Sequence, residues 1–208
     1  MQTFLPYPDF EQAARVLDQK RLGKQRVEVI QVIRGLTRPD YGWRHHPVVL
    51  MWRGYEEALG RYGVTCCEVW VESGFGDTCA ATIRTDLRAA GVHTIRTQAE
   101  LEAGGALPPW LGDEALHRSH RSALLRKDPQ YYRDAFPGDP HDEEYVWPVR
   151  SEAVVEAERR RARNAALRAQ RALARAEQQA ERERRARSRA AKRGWQTRRA
   201  RSSGAVNR

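Results

Sequence analysis

The chain has 208 residues, 40% of them hydrophobic, which allows one folded domain with its own core plus an appendage. Its net charge of +10 is lopsided: residues 151–208 carry +12 and residues 1–150 carry −2, so any nucleic-acid binding by the folded part must rest on local clusters. Three cysteines, Cys66 and Cys67 adjacent and Cys79 alone, exclude a disulfide framework and a spaced metal pair. The absence of a leader pattern or a membrane-length apolar run makes the expectation a cytoplasmic, nucleoid-associated protein.

Asp9, with Gln12 three residues on, predicts a capped short helix through Leu17 that leads into the most informative stretch, LDQKRLGKQRVEVIQVI at 17–33. At about 100° per residue, Leu22, Val29, Ile33 and Leu36 gather on one arc and Arg21, Lys24, Gln25 and Glu28 on another. Arg26 falls inside the apolar arc, where a guanidinium requires an anion, either an internal carboxylate or a phosphate. Lys24 and Glu28 also fit an ordinary i,i+4 surface pair. Thr37, Arg38, Pro39 and Asp40 end the helix, and residues 15–53 hold nine Arg or Lys against Asp18, Glu28 and Asp40.

After the polar loop YGWRHH, Pro47 suits the first turn of a second helix with Val48, Trp52, Tyr55 and Leu59 buried, extending to Ser73 with a bend at Gly60 or Gly63. Within it, VTCCEVWVE has strand propensity alone. Residues 78–89 after Asp77 and 114–127 after Asp113 read as helices, and Asp128 with Pro129 opens the aromatic segment PQYYRDAF. The folded part, residues 1–150, is therefore expected to be all-α. His117 and His120 share a helix face but lack a third ligand at useful spacing, so no metal is expected. From Ser151 to Lys192, Ala, Arg, Glu and Gln dominate, and the large apolar residues thin to Val154, Val155, Leu167 and Leu173. Residues 151–208 are thus expected to form a solvated, partly helical basic arm, the alternative being a solubilising extension with no dedicated partner.

In this order, RLGKQRVE (21–28), HHPVVLMWRGYEEAL (45–59), ALPPWLGD (106–113) and RSALLRKDPQYYR (121–133) make residues 1–148 resemble the pyrimidine-dimer DNA glycosylases of the endonuclease V type, in particular their bacterial relatives. The resemblance implies a compact helical protein that acts on damaged double-stranded DNA, cleaves a glycosidic bond and then nicks the abasic strand as an AP lyase. It needs no metal or organic cofactor and works as a monomer. The nucleophile it implies is the α-amine of the first residue, Met1. An α-amine, with an ordinary pKa near about 8, offers far more free base at neutral pH than a lysine near about 10.4. Lys20 and Lys24 are the fallback amines. The implied carboxylate is Glu28, which stands one residue beyond the position directly after Arg26 where the family's arginine–acid order would put it. Phosphate and base contacts are expected from Arg21, Lys24, Arg26, Arg44, His46, Arg118, Arg121, Arg126, Lys127, Tyr131 and Tyr132. Two alternatives stay open: a noncatalytic DNA-binding protein on the same scaffold, and an RNA- or ribosome-associated factor.

The arm carries its own expectation. Deleting residues 151–208 should weaken nonspecific DNA affinity and flatten the dependence of log K on log salt, while single-turnover strand cleavage at saturating protein is unchanged. Loss of cleavage under those conditions would make the arm part of the reacting site.

Overall fold

Short polar caps and buried stripes divide the N-terminal part of the chain into eight helices. In the computed structural model, which describes residues 1–148, 163, 167–173, 175 and 178–179, no strand occurs among the described residues. Contacts divide the chain into two units, Met1–Ser151 and Glu152–Arg208. In the second unit the described residues are helical and exposed; the remainder of the expected arm lies outside the described residues. No described helix is long and apolar enough to cross a membrane.

α1 (Phe10–Arg15) starts where the Asp9 carboxylate accepts the Gln12 N–H at 2.6 Å, and α2 (Gln19–Thr37) starts where Asp18 accepts the Arg21 N–H at 3.1 Å. The expected helix from Pro47 to Ser73 is two helices, α3 (Pro47–Met51) and α4 (Glu56–Glu72). The break falls at Gly54, whose φ of +85° lies in the left-handed region open to glycine. Gly60 and Gly63 sit inside a continuous α4, and the strand propensity of VTCCEVWVE yields to that helix. α5 (Cys79–Ala89) follows, then α6 (Gln98–Ala103), which sequence reading missed although its reciprocal Thr97/Glu100 capping box is spelled out as TQAE. α7 (Glu114–Lys127) begins after Asp113 as expected, and α8 (Pro129–Tyr132) closes the series.

α2 and α4 form the centre of this unit. α2 packs on α3, α4 and α5, and α4 packs on α1, α5 and α6. Val29, Val32 and Ile33 on α2 and Leu59, Tyr62 and Val64 on α4 are buried between them. The glycines where a bend was expected set this close approach instead. A Cβ built on Gly63 would lie 2.5 Å from Val29 Cγ1 and 2.9 Å from Ile83 Cδ1, and one on Gly60 would lie 2.3 Å from Leu87 Cδ1.

Arg26 finds its anion inside the protein. Its guanidinium pairs with Asp77 and lies 4.1 Å from the Trp70 ring centroid, with both charged side chains largely buried. Burial would raise the Asp77 carboxyl, but the Ala80 N–H and Arg26 outweigh it and hold the group below the usual carboxylate range. Arg26 is therefore a tie between α2 and the start of α5, and its expected role as a DNA contact is corrected.

Gly63→Ala tests the helix contact. The helix-propensity gain of up to about 1 kcal/mol is smaller than the roughly 1–3 kcal/mol cost of overpacking a close contact, so urea denaturation should show net destabilisation. Gly63→Ala combined with Val29→Ala should be less destabilised than the sum of the single variants. A stabilised Gly63→Ala would contradict this packing.

Candidate active site

Residues 2–6 run extended along the core with no neighbouring strand, and a buried backbone without partners would be costly. Side chains supply the partners. On α2, Glu28 Oε2 accepts the Gln2 N–H at 3.2 Å, while Gln25 donates to the Gln2 carbonyl at 3.0 Å and accepts the Phe4 N–H at 2.8 Å. The Tyr62 hydroxyl on α4 donates to the Phe4 carbonyl at 2.7 Å, and the Trp52 indole N–H donates to Thr3 Oγ1 at 3.0 Å. From α7, His120 Nδ1 accepts the Leu5 N–H at 2.9 Å, His117 Nδ1 meets the Leu5 carbonyl at 2.8 Å, and Arg121 donates to the Pro6 carbonyl at 3.0 Å.

The result is a fixed chain start. The Met1 nitrogen lies 3.9 Å from Glu28 Oε1, and Lys24 Nζ lies 3.3 Å from the same oxygen. Gln25 Nε2 donates to the other Glu28 oxygen at 3.2 Å. Residues 24, 25 and 28 reach one site because i,i+3 and i,i+4 positions share a helix face. The Glu28 side chain is only 6% exposed whereas that of Lys24 is 69% exposed, so this pair opens from the interior to solvent. Glu28 is Lys24's i,i+4 partner, though buried and not on the surface, and it also faces the terminal amine.

A pocket of about 390 Å³ opens over this centre, lined by Met1, Glu28, Lys20, Lys24, Lys127 and Tyr145 among others. Three of the chain's four lysines therefore border one carboxylate, in a sequence with 33 arginines. Lys127 Nζ lies 5.9 Å from the Phe4 ring centroid. Burial pushes the Tyr145 hydroxyl up to about 12. His46 caps α3 through Nδ1, which accepts the Val48 N–H at 3.2 Å. Its pKa is lowered by burial first and by the terminal amine second, with Glu28 acting in the opposite sense, which ties it electrostatically to the same centre.

The remaining expected contacts separate by what already holds them. Arg121 is buried against Asp139, Glu114 and the Pro6 carbonyl, and Tyr132 is fully buried with its hydroxyl donating to Asp18 at 2.5 Å. Both serve the internal structure, and their expected DNA contacts are corrected on that ground. Arg118 pairs with Glu143, and Arg126 donates to Ser122 Oγ and to the His141 and Glu143 carbonyls, so both anchor the segment after α8. Arg21 pairs with Asp18 and Asp128 at the pocket edge, while Arg44 and Tyr131 are exposed. His117 and His120 hold Leu5, and no group of metal-ligating side chains occurs among the described residues.

Residues 1–83 match the family model described as pyrimidine dimer DNA glycosylase, and the resemblance read from the sequence is borne out over those residues. The matched part runs from the terminal amine through α2, α3 and α4 into α5. No curated protein and no solved structure matches the chain.

The histidine clamp predicts a pH dependence. Burial first, and His117 second, lower His120 to about 3, and burial lowers His117 as well. Between about 3 and the ordinary value near 6.5 the unfolded chain binds the proton that folded His120 refuses. Stability from this group is thus complete above about pH 6.5 and is lost as pH falls below it, by up to about 1.4 kcal/mol per unit. Tm should fall between pH 7 and 5, and His120→Asn, whose Oδ1 can accept the Leu5 N–H, should show a shallower slope. Parallel slopes would contradict the assignment.

Proposed function

From the match of residues 1–83 to the family model described as pyrimidine dimer DNA glycosylase, we propose that this protein excises damaged pyrimidines, pyrimidine dimers above all, and nicks the resulting abasic strand. The observation that carries the proposal is the Met1 nitrogen 3.9 Å from Glu28 Oε1 at the floor of a lysine-bordered pocket.

The amine, once neutral, attacks C1′ of the damaged nucleotide, and the base departs with the bond's electron pair and takes up a proton. The nitrogen then loses one proton, and its lone pair opens the sugar ring by breaking the C1′–O4′ bond, O4′ taking up a proton, which leaves the iminium, the Schiff base. Glu28 stabilises the cationic sugar on the way and receives or returns the protons. Removal of a C2′ proton then expels the 3′ phosphate by β-elimination. A carboxylate buried on one side and open to the amine on the other suits this work, since its negative charge is poorly screened by water. Lys20, Lys24 and Lys127 hold the phosphates that flank the reacting sugar, and Arg44 and Tyr131 extend the contact surface. No step draws on a metal or organic cofactor. Residues 151–208 add sequence-independent affinity for the duplex.

Borohydride reduction in the presence of abasic duplex DNA should trap a covalent protein–DNA adduct. Glu28→Gln should lower the single-turnover rate by roughly 10²–10⁴-fold while the protein still binds the duplex. Binding by the wild-type protein with no adduct would make it a noncatalytic binder and end the proposal.

A further inference from the structure

Trp43 is the large aromatic residue most exposed among those described, at 54%, yet it is held in place. Successive turns fix its loop: the Tyr41 N–H donates to the Arg38 carbonyl at 3.2 Å, the Arg44 N–H to the Tyr41 carbonyl at 3.1 Å, and the His46 N–H to the Trp43 carbonyl at 2.8 Å. Its indole packs at 65° to the His46 ring with centroids 5.7 Å apart. From there the rings continue inward, His46 to Trp147 at 6.1 Å and Trp147 to Tyr145 at 5.6 Å. Tyr145 lines the pocket that holds the terminal amine and Glu28. An aromatic row thus leads from the amine pocket to an indole in solvent.

Leaving an indole in water forgoes much of the burial its surface could gain. The ligand that repays this must be planar and apolar on its face, and it must come with negative charge. Arg44 and His45, both exposed, follow Trp43 in the chain, the Arg44 guanidinium donating to His45 Nε2 and the Pro39 carbonyl, and the lysine-bordered pocket lies at the inner end of the row. A nucleobase on its phosphate backbone meets all three conditions, because every base has a face to stack and every nucleotide carries an anion. Chemistry on a nucleotide also requires it, or its neighbours, to leave the helical stack.

We propose that Trp43 is a stacking platform for an unpaired nucleobase next to the reacting nucleotide, with His46 and Trp147 setting the plane and position of its ring. This rests on the reading that the protein acts on DNA, and it adds a base-binding site outside the amine pocket. Trp43 touches neither the amine nor Glu28 in this account, so it is a binding residue and not a catalytic one.

The test compares two duplexes with the same number of phosphates. One carries a single unpaired thymine, and the other carries a base-free tetrahydrofuran residue at that position. With the full chain in 0.15 M salt, which screens the basic arm, Trp43→Ala should weaken binding of the thymine duplex about tenfold and of the base-free duplex less than twofold. Trp43→Phe should restore most of the affinity, and Tm of both variants should stay near wild type because the ring is exposed. Equal losses on both duplexes, or no loss on either, would overturn the proposal. If the wild-type protein forms no borohydride adduct, the repair reading fails, yet the base-dependent loss still stands or falls on its own.

Discussion

The structure depends on the way side chains of α2, α4 and α7 take over the hydrogen bonds that a neighbouring strand would otherwise give to residues 2–6. An extended segment buried at the start of a helical protein has no ladder to join, and the backbone groups of Gln2, Phe4 and Leu5 and the Pro6 carbonyl meet a glutamine, tyrosine, histidine, arginine or carboxylate instead. Gln25 does this twice, as donor to Gln2 and acceptor from Phe4, and Tyr62 bonds both Phe4 and Gln25. The same constraint that holds the segment also aims its first nitrogen. With Gln2 bonded to one oxygen of Glu28, the Met1 nitrogen has little choice but to approach the other. Fold and chemistry therefore share one carboxylate.

The two kinds of basic side chain are largely divided by task, although Arg21 also lines the amine pocket. Among the described residues, arginines form the internal ties to Asp77, Asp86, Glu57 and Asp139, where a planar fork can meet a carboxylate and be partly buried. Lysines border the pocket. In a chain so rich in arginine, lysine at three positions around one acid suits compact, mobile ammonium groups that can follow a phosphate, or an amine within reach of a sugar.

How much of this can be read from the residues depends on how far apart the partners lie. The Asp9 and Asp113 caps and the 3.6-residue stripe of α2 are local, and the structure keeps them. That Arg26 needs an anion is also local knowledge, because the wheel places it among apolar neighbours. That the anion is Asp77, 51 positions away, is tertiary and unreadable from the pattern. His117 and His120 show the same limit: their shared face excludes a metal pair by count, but their service to Leu5, more than 110 positions earlier, has no signature. Arg121 and Tyr132 look like surface contacts by type and are buried by distant partners. The break at Gly54 and the helix α6 were legible and missed, the first because two later glycines drew the expected bend, the second because TQAE lies between weakly patterned stretches.

The most direct measurement is the position of the DNA on the trapped protein. After borohydride reduction with abasic duplex and digestion with trypsin, the account predicts the sugar remnant on the α-nitrogen of the peptide spanning residues 1–15. A remnant found instead on a peptide containing Lys20, Lys24 or Lys127 would contradict the claim that the chain's first nitrogen, aimed by Glu28, is the reacting group.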